Sequence, residues 1–218
     1  QDTVLTASNM NKQKISEESV QEIVSCLKNN GIAIFPTDTV YGIGAVYNNP
    51  EGIDRIYEAK QRDRSKPIIA LISDISHLHK LISFEEEDLG NISEIMKKYW
   101  PGELTIVFDN SKYNVAEDNT IGVRIPGDEI LLRIIESCGG IVFTTSANIS
   151  GEKSPVKTQD ISYDILEKTD FILDGGTILN GVPSTVIKYS AGKISVLREG
   201  NIKTEEILKL FMRRAEKK

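Results

Sequence analysis

The sequence predicts an α/β domain built on a mixed, partly antiparallel sheet. Short apolar runs bounded by Pro or Gly recur along the chain, as buried strands do. Segments with apolar residues at helical spacing separate the first of these runs. The last ones, "DFILDGG", "STVIKYS" and "KISVLRE", crowd together with no helix between them, which points away from a purely parallel arrangement.

Taken in order, Ser19-x-x-Glu22 reads as a capping box, and Val20, Ile23, Val24 and Leu27 recur at helical spacing before Gly31. Ile32–Phe35 is a continuous apolar run, and Pro36, which cannot donate to a ladder, ends the strand. Pro50 opens a second helix that turns Ile53, Ile56 and Tyr57 inward. "PIIALIS" is the next strand, followed by a polar, helix-rich stretch from Ser73 to Tyr99. "PGELTIVFD", "TIGVRIP" and "GIVFTTS" join the three late runs as further strands. Helical patterns recur at Asp128–Ser137, Thr158–Glu167 and Thr204–Arg214, and the tail "RRAEKK" reads as a frayed helix end whose cations suit the C-terminal dipole.

With 218 residues and 39% hydrophobic content, the chain can bury a substantial core, and one domain spanning 1–218 is expected. No apolar stretch approaches the roughly 20 residues needed to cross a bilayer. The opening "QDTVLTASNMNKQKIS" has no apolar centre, so a cytoplasmic protein without a membrane partner is expected. Cys26 and Cys138 lack metal-ligand spacing and read as buried or incidental thiols, while His77 and His79, with no further histidine and no nearby Cys, read as surface residues. A net charge of −6 argues against binding nucleic acid by bulk electrostatics.

Polar stretches cluster at strand ends, where open α/β sheets place their ligands. "PTDTVYG" offers hydroxyls at Thr37, Thr39 and Tyr41, a carboxylate at Asp38 and a close-approach glycine; a decorated turn and a ligand wall both fit. "KQRDRSK" gathers Lys60, Arg62, Arg64 and Lys66 against Asp63, as a polyphosphate site or as a solvated loop. "TTSANISG" puts Thr144, Thr145, Ser146 and Asn148 after an apolar strand, a composition suited to an anion nest. It lacks G-x-S-x-G spacing, and neither histidine has an obvious role as its base, which argues against a serine nucleophile. Arg124, inside the apolar "TIGVRIP", must point outward or meet a carboxylate or phosphate. Ser184 and Thr185 begin a strand, and Asp174-Gly175-Gly176 reads as a turn that could also contact a cation. Neither Walker A nor G-x-G-x-x-G is present.

In this order, "PTDTVYGIG", "KQRDRSKPI", "WPGELTIVF", "TIGVRIPGDE", "TTSANISGEKSP", "PSTVI" and "VLREG" closely resemble the YrdC-like family of threonylcarbamoyl-AMP synthases, from about Ser16 to Gly200. The resemblance implies a twisted mixed sheet flanked by helices around a basic concave cavity, in the single-domain form with a C-terminal helix at about 203–216. It implies synthesis of L-threonylcarbamoyladenylate and pyrophosphate from L-threonine, bicarbonate and ATP, with Mg2+ accompanying the nucleotide and no direct metal ligand identified. In the family, that product passes to a transferase complex that modifies the adenosine beside the tRNA anticodon.

Carried over by motif, the resemblance implies that Thr39, Arg124, Thr144 and Ser184 hold threonine beside the backbone of Leu71. It implies that Arg62, Lys66, Thr120, Ser146, Ser154 and Arg198 hold ATP. Lys60, with Arg62, is expected near the reacting groups, and Thr37, Tyr41 and Asn148 are further pocket candidates. Ile43 stands where the family usually has Leu. The competing readings are a module binding tRNA or double-stranded RNA in the same cavity, with weak tRNA binding as a lesser form of it, and a carbamoyl-phosphate-using enzyme on the same fold. A loop at Asn110–Asn119 is a candidate for closing over the substrates.

Overall fold

A computed structural model describes residues 15–84, 86–109, 111–113 and 119–215. The Asn110–Asn119 loop lies partly outside these residues and the end of the "RRAEKK" tail wholly so. The first helix, α1 (Glu17–Lys28), is capped by Ser16 rather than Ser19: the Ser16 hydroxyl accepts from the Ser19 N–H and the Ser19 hydroxyl answers on the Ser16 N–H. Serine at both ends of the box supplies the reciprocal bonds expected from Ser19 and Glu22, shifted by one turn.

The chain continues through β1 (Ala33–Phe35), β2 (Gly42–Val46), α2 (Pro50–Ala59), β3 (Ile69–Ile72), α3 (Leu78–Leu81), α4 (Glu86–Tyr99), β4 (Leu104–Phe108) and β5 (Ile121–Arg124). Then come α5 (Glu129–Ser137), β6 (Ile141–Ser146), α6 (Tyr163–Leu166), β7 (Phe171–Ile172), β8 (Thr185–Ser190), β9 (Lys193–Arg198) and α7 (Thr204–Ala215). Pro50 opens α2 as expected, behind an Asn49 cap that accepts from the Gly52 N–H. Asp128 caps α5 by accepting from the Leu131 N–H. The helix expected over Thr158–Glu167 is broken instead. A single 3-10 turn at Thr158–Asp160 gives way to extended backbone at Ile161 and Ser162 before α6 begins.

The strands form one sheet in the order β7-β1-β2-β6-β3-β5-β4-β8-β9. Three parallel pairs (β1 with β7, β3 with β5, β4 with β8) are interspersed among five antiparallel ones, so the mixed sheet suggested by the crowded late strands is what forms. The β1–β2 pairing explains the two glycines of β2: Phe35 lies opposite Gly42, and a Cβ on Gly44 would stand 3.0 Å from the Phe35 ring. Glycine is what lets the ring lie flat on the neighbouring strand.

The period-2 alternation of the strands sends two sets of side chains to two different fates. Ile68, Ala70 and Ile72 of the β3 region, with Ile106, Val123 and Phe143, pack under α4 (Ile92, Ile95, Met96) and α7 (Ile207). On the other face, α1 and α5 cover only part of the sheet, where Val20, Ile23, Leu131 and Ile134 meet Phe35, Val46, Leu71 and Val142. A third cluster joins α2 and α6 to Tyr41 and Ile43. The strand segments that α1 and α5 leave bare are the floor of the cavity described next. No helix among the described residues is long and apolar enough to cross a membrane.

Candidate active site

The cavity holds about 630 Å³ and rests on side chains from one face of six neighbouring strands. Pairing fixes their positions: Thr144 lies beside Ile69, Ile69 beside Gly122, and Gly122 beside Val107, while Leu71 adjoins Arg124 and Thr105 adjoins Val186. Around this floor stand the 37–42 loop, the 62–67 loop, the end of β6 with Ser154, the Pro183–Ser184 segment and the end of β9. Among the described residues, Arg62, Lys66, Arg124 and Arg198 line the space, and no carboxylate does. A concave surface with four cations, of which Arg124 is paired with Asp38 behind the lining, concentrates field on an anionic guest.

Arg124 occupies an apolar strand and is turned inward, where it finds a carboxylate. Its terminal nitrogen pairs with Asp38, another donates to the Thr39 hydroxyl at 3.0 Å, and Nε donates to the Gly102 carbonyl at 2.8 Å. Asp38 also accepts from the Gly127 N–H at 2.9 Å. Thr37 shapes this loop: its hydroxyl accepts from the Thr39 and Val40 N–H groups and donates to the Val40 carbonyl. These are the local side-chain to backbone bonds that make threonine a turn residue.

On the opposite wall, the Ser184 hydroxyl lies 2.8 Å from the Thr105 hydroxyl, and Arg198 donates to the Ser184 carbonyl through Nε and a terminal nitrogen. Burial, and then the like charge of Arg124, press the Arg198 guanidinium below its ordinary pKa. That pattern belongs to a site built to receive negative charge. Arg62 is also pressed down by burial and is held by the Lys66 and Pro67 carbonyls.

Of the residues expected from the sequence, Thr37, Thr39, Arg62, Lys66, Leu71, Arg124, Thr144, Ser146, Ser154, Ser184 and Arg198 all line this one space. Lys60, Tyr41, Thr120 and Asn148 are not among its lining residues. Lys60 is fully buried, and its ammonium donates to the carbonyls of Ser146 and Asn148 at the end of β6. Burial first, and the nearby Arg62 second, bring its pKa down to about 7. The Tyr41 hydroxyl donates to the Gly176 carbonyl and accepts from the Gly175 N–H, 3.2 Å from Asp174, so "DGG" is an anchor for Tyr41. Asn148 spends its amide N–H groups on the Ile149 and Glu152 carbonyls, and Thr120 is buried at the start of β5.

Thr105 and Ser65 were absent from the sequence expectations, and Asp38, noted as the carboxylate of the 37–42 loop, was not expected as the partner of Arg124. The one available signal was the buried Arg124, which demanded a carboxylate somewhere. His77 differs from its expected place at the surface: its side chain is 15% exposed and faces Glu136 at 3.3 Å, whereas His79 is exposed. Cys26 and Cys138 are free thiols, both raised to about 11 by burial. Among the described residues no group of three His, Cys, Asp or Glu could hold a metal ion.

The family model Sua5_yciO_yrdC, described as telomere recombination, matches residues 25–200. A threonylcarbamoyl-AMP synthase of Bacillus subtilis is 34% identical over 197 residues, which are 88% of this chain and 56% of that protein. A putative threonylcarbamoyl-AMP synthase of Methanocaldococcus jannaschii is 33% identical over 200 residues, covering 89% of this chain and 93% of that protein. The crystal structure of Pyrococcus abyssi Sua5 complexed with L-threonine superposes with a TM-score of 0.82 at 34% identity, over 91% of this chain and 58% of that one. The chain thus spans little more than half the length of the Bacillus and Pyrococcus proteins and nearly all of the Methanocaldococcus one.

Proposed function

The chain belongs to the Sua5/YciO/YrdC family, and from that premise we propose that it is an L-threonylcarbamoyladenylate synthase, using L-threonine, bicarbonate and ATP. The observation that carries this reading is the cavity: among the described residues, four cations and no carboxylate stand around a floor of hydroxyl and apolar side chains. Its size suits an amino acid together with a nucleotide, within the usual range for small-molecule sites. The relatives' names and the threonine-bound Pyrococcus structure support the same reading.

The chemistry asks for no protein nucleophile. The threonine amine attacks the bicarbonate carbon, and water leaves as the carbamate forms. A carbamate oxygen then attacks the α-phosphorus of ATP, the bond from that phosphorus to the bridging oxygen breaks, and pyrophosphate departs. The protein's part is to hold the reactants in line and to oppose the charge that accumulates on the phosphates.

In this assignment Arg124, Thr39, Thr144 and Ser184 surround the amino acid, with the Arg124 guanidinium toward its carboxylate. Arg62, Lys66, Ser146, Ser154 and Arg198 receive the nucleotide, the cations facing its phosphates. Mg2+ would enter with the nucleotide, held by its phosphates; among the described residues the lining has no carboxylate. Lys60 acts from behind, fixing the carbonyls of Ser146 and Asn148. Residues 16–200 form the catalytic domain, to which α7 is appended. The protein works in the cytoplasm, and the product, a reactive mixed anhydride, goes to a tRNA-modifying transferase.

Pyrophosphate release from ATP, with threonine and bicarbonate each present or omitted and serine as control, tests the assignment. Release that requires both is the expected result; release independent of both overturns it. The extra methyl of threonine is worth about 1 kcal/mol when buried, so serine is expected to react measurably.

A further inference from the structure

The turn Trp100–Glu103 lies outside the cavity, yet it touches the supports of three of its polar residues. The Gly102 carbonyl accepts from Arg124 Nε at 2.8 Å, while the Gly102 N–H donates to the Ile125 carbonyl. The Glu103 carbonyl accepts from the Thr185 N–H at 3.0 Å, one residue beyond Ser184. The Glu103 side chain then reaches two connections at once. Oε1 accepts from Asn180 Nδ2 at 2.7 Å and Oε2 from Asn201 Nδ2 at 3.0 Å, and the two asparagines are themselves hydrogen-bonded. Asn180 leads into Ser184, and Asn201 follows Arg198. Asn180 also donates to the Asp38 carbonyl at 3.2 Å, behind the carboxylate that pairs with Arg124. The Thr185 hydroxyl closes the set, donating to the Ile202 carbonyl and accepting from the Gly200 N–H, both at 2.8 Å.

We infer that Glu103 is a positioning residue: next to the Gly102 carbonyl that holds Arg124, it clamps the Asn180 segment leading into Ser184 to the Asn201 segment following Arg198, setting the distance between the amino-acid end (Arg124, Ser184) and the nucleotide end (Arg198) of the cavity. This rests on the synthase assignment. There, Arg124 and Ser184 hold one reactant and Arg198 the other, so the clamp governs how well the carbamate oxygen lines up with the α-phosphorus. Each half-site keeps its own contacts when the clamp is cut, but their mutual placement loosens. A misplacement of about 1 Å costs on the order of 100-fold in rate while leaving separate binding events largely intact.

The test compares Glu103→Ala with the unmodified protein in three measurements: the turnover rate, the separate affinities for threonine and for ATP by calorimetry, and amide exchange over residues 178–186 and 199–203. The expected result is a turnover rate at least tenfold lower, each affinity within about threefold, and faster exchange in both segments. Glu103→Gln, which keeps one acceptor oxygen, is expected to recover part of the rate. An unchanged rate in an active enzyme overturns the inference, as does a loss of rate matched by an equal loss of both affinities. An unmodified protein that releases no pyrophosphate defeats the synthase assignment alone. The clamp is then judged by exchange, and unaltered protection of both segments defeats it. Asn180→Ala, which cuts one arm, is read the same way if Glu103→Ala does not fold.

Discussion

Asp38 holds Arg124 by one terminal nitrogen, Nη2, the arginine side chain 4% exposed and the aspartate 16%. The carboxylate thereby does two things to a cation that would otherwise be buried alone: it balances the charge and fixes the plane of the guanidinium. The Gly127 N–H, donating to the other carboxylate oxygen, keeps Asp38 itself in place.

Asp38→Asn is therefore expected to weaken threonine binding without removing any group that contacts threonine. Removing one partner of a buried pair costs about 3–5 kcal/mol, so a fall of several degrees in the melting temperature is expected as well. Calorimetric titration of threonine beside a thermal melt checks both. A stability loss with unaltered threonine affinity would leave Asp38 a purely structural residue.

Arg62→Ala and Arg124→Ala are expected to separate the two half-sites. A hydrogen bond to a charged group is worth about 1.5–3 kcal/mol, so the first should weaken ATP about 10- to 100-fold and spare threonine. The second should do the reverse. Equal losses for both ligands in either variant would contradict the division of the cavity proposed above.

Lys60 makes stability depend on pH. Its folded pKa of about 7 lies below the ordinary value of 10.5, so the unfolded chain binds the proton more tightly between those limits. Stability is thus expected to rise as pH increases from about 7 to 9 and to fall as pH drops through 7. Above about 9 the Cys26 and Cys138 thiols, raised to about 11, act with the opposite sign, and the two together outweigh the one amine and end the rise. Chemical denaturation at pH 6.5, 7.5 and 8.5 in standard buffers is about the right grid. Lys60→Met should flatten the slope, and a variant with the same slope would show that another group titrates.

Gly42 lines the cavity, and a Cβ there would stand 2.9 Å from the Thr144 hydroxyl and 3.4 Å from the Phe35 ring. Thr144 cannot retreat freely, because its hydroxyl donates to the Ile43 carbonyl. Gly42→Ala is expected to cost about 1–3 kcal/mol of stability and to lower threonine affinity more than ATP affinity. Thermal melts and paired titrations decide this, and a loss confined to ATP would place Thr144 in the wrong half-site.

The sheet was legible because its signals are local. Ala33–Phe35, Ile69–Ile72 and Ile141–Ser146 are apolar runs closed by Pro, Gly or hydroxyl residues, and each became a strand within a residue or two of its expected limits. The residues gathered in the cavity were legible for a related reason, since polar stretches at strand ends stand out against apolar runs. The cap at Ser16 was missed because Ser19 and Glu22 offered an equally regular pattern one turn later. The break at Ile161–Ser162 was missed because an apolar period says nothing about extended backbone inside it. The partnerships of Asp38 and Glu103 were invisible for a deeper reason: Asp38 meets Arg124 across 86 residues, and Glu103 meets Asn180 and Asn201 across 77 and 98. Lys60 was expected near the reacting groups, but composition could not reveal that its buried ammonium would turn to the backbone carbonyls of Ser146 and Asn148.

The strand order has a consequence for how the protein comes into being. The cavity draws on positions from Thr37 to Arg198, and the strands beneath it are neighbours in space but not in synthesis: β6 lies between β2 and β3, and β8 beside β4. A chain emerging from the ribosome has no partial site to offer until the last of these strands has been made and threaded to its neighbour. Such long-range pairing is slow relative to helix formation. Substrate binding is then a report on completed folding. Threonine and ATP, by binding only the finished sheet, draw newly made chains toward it by mass action.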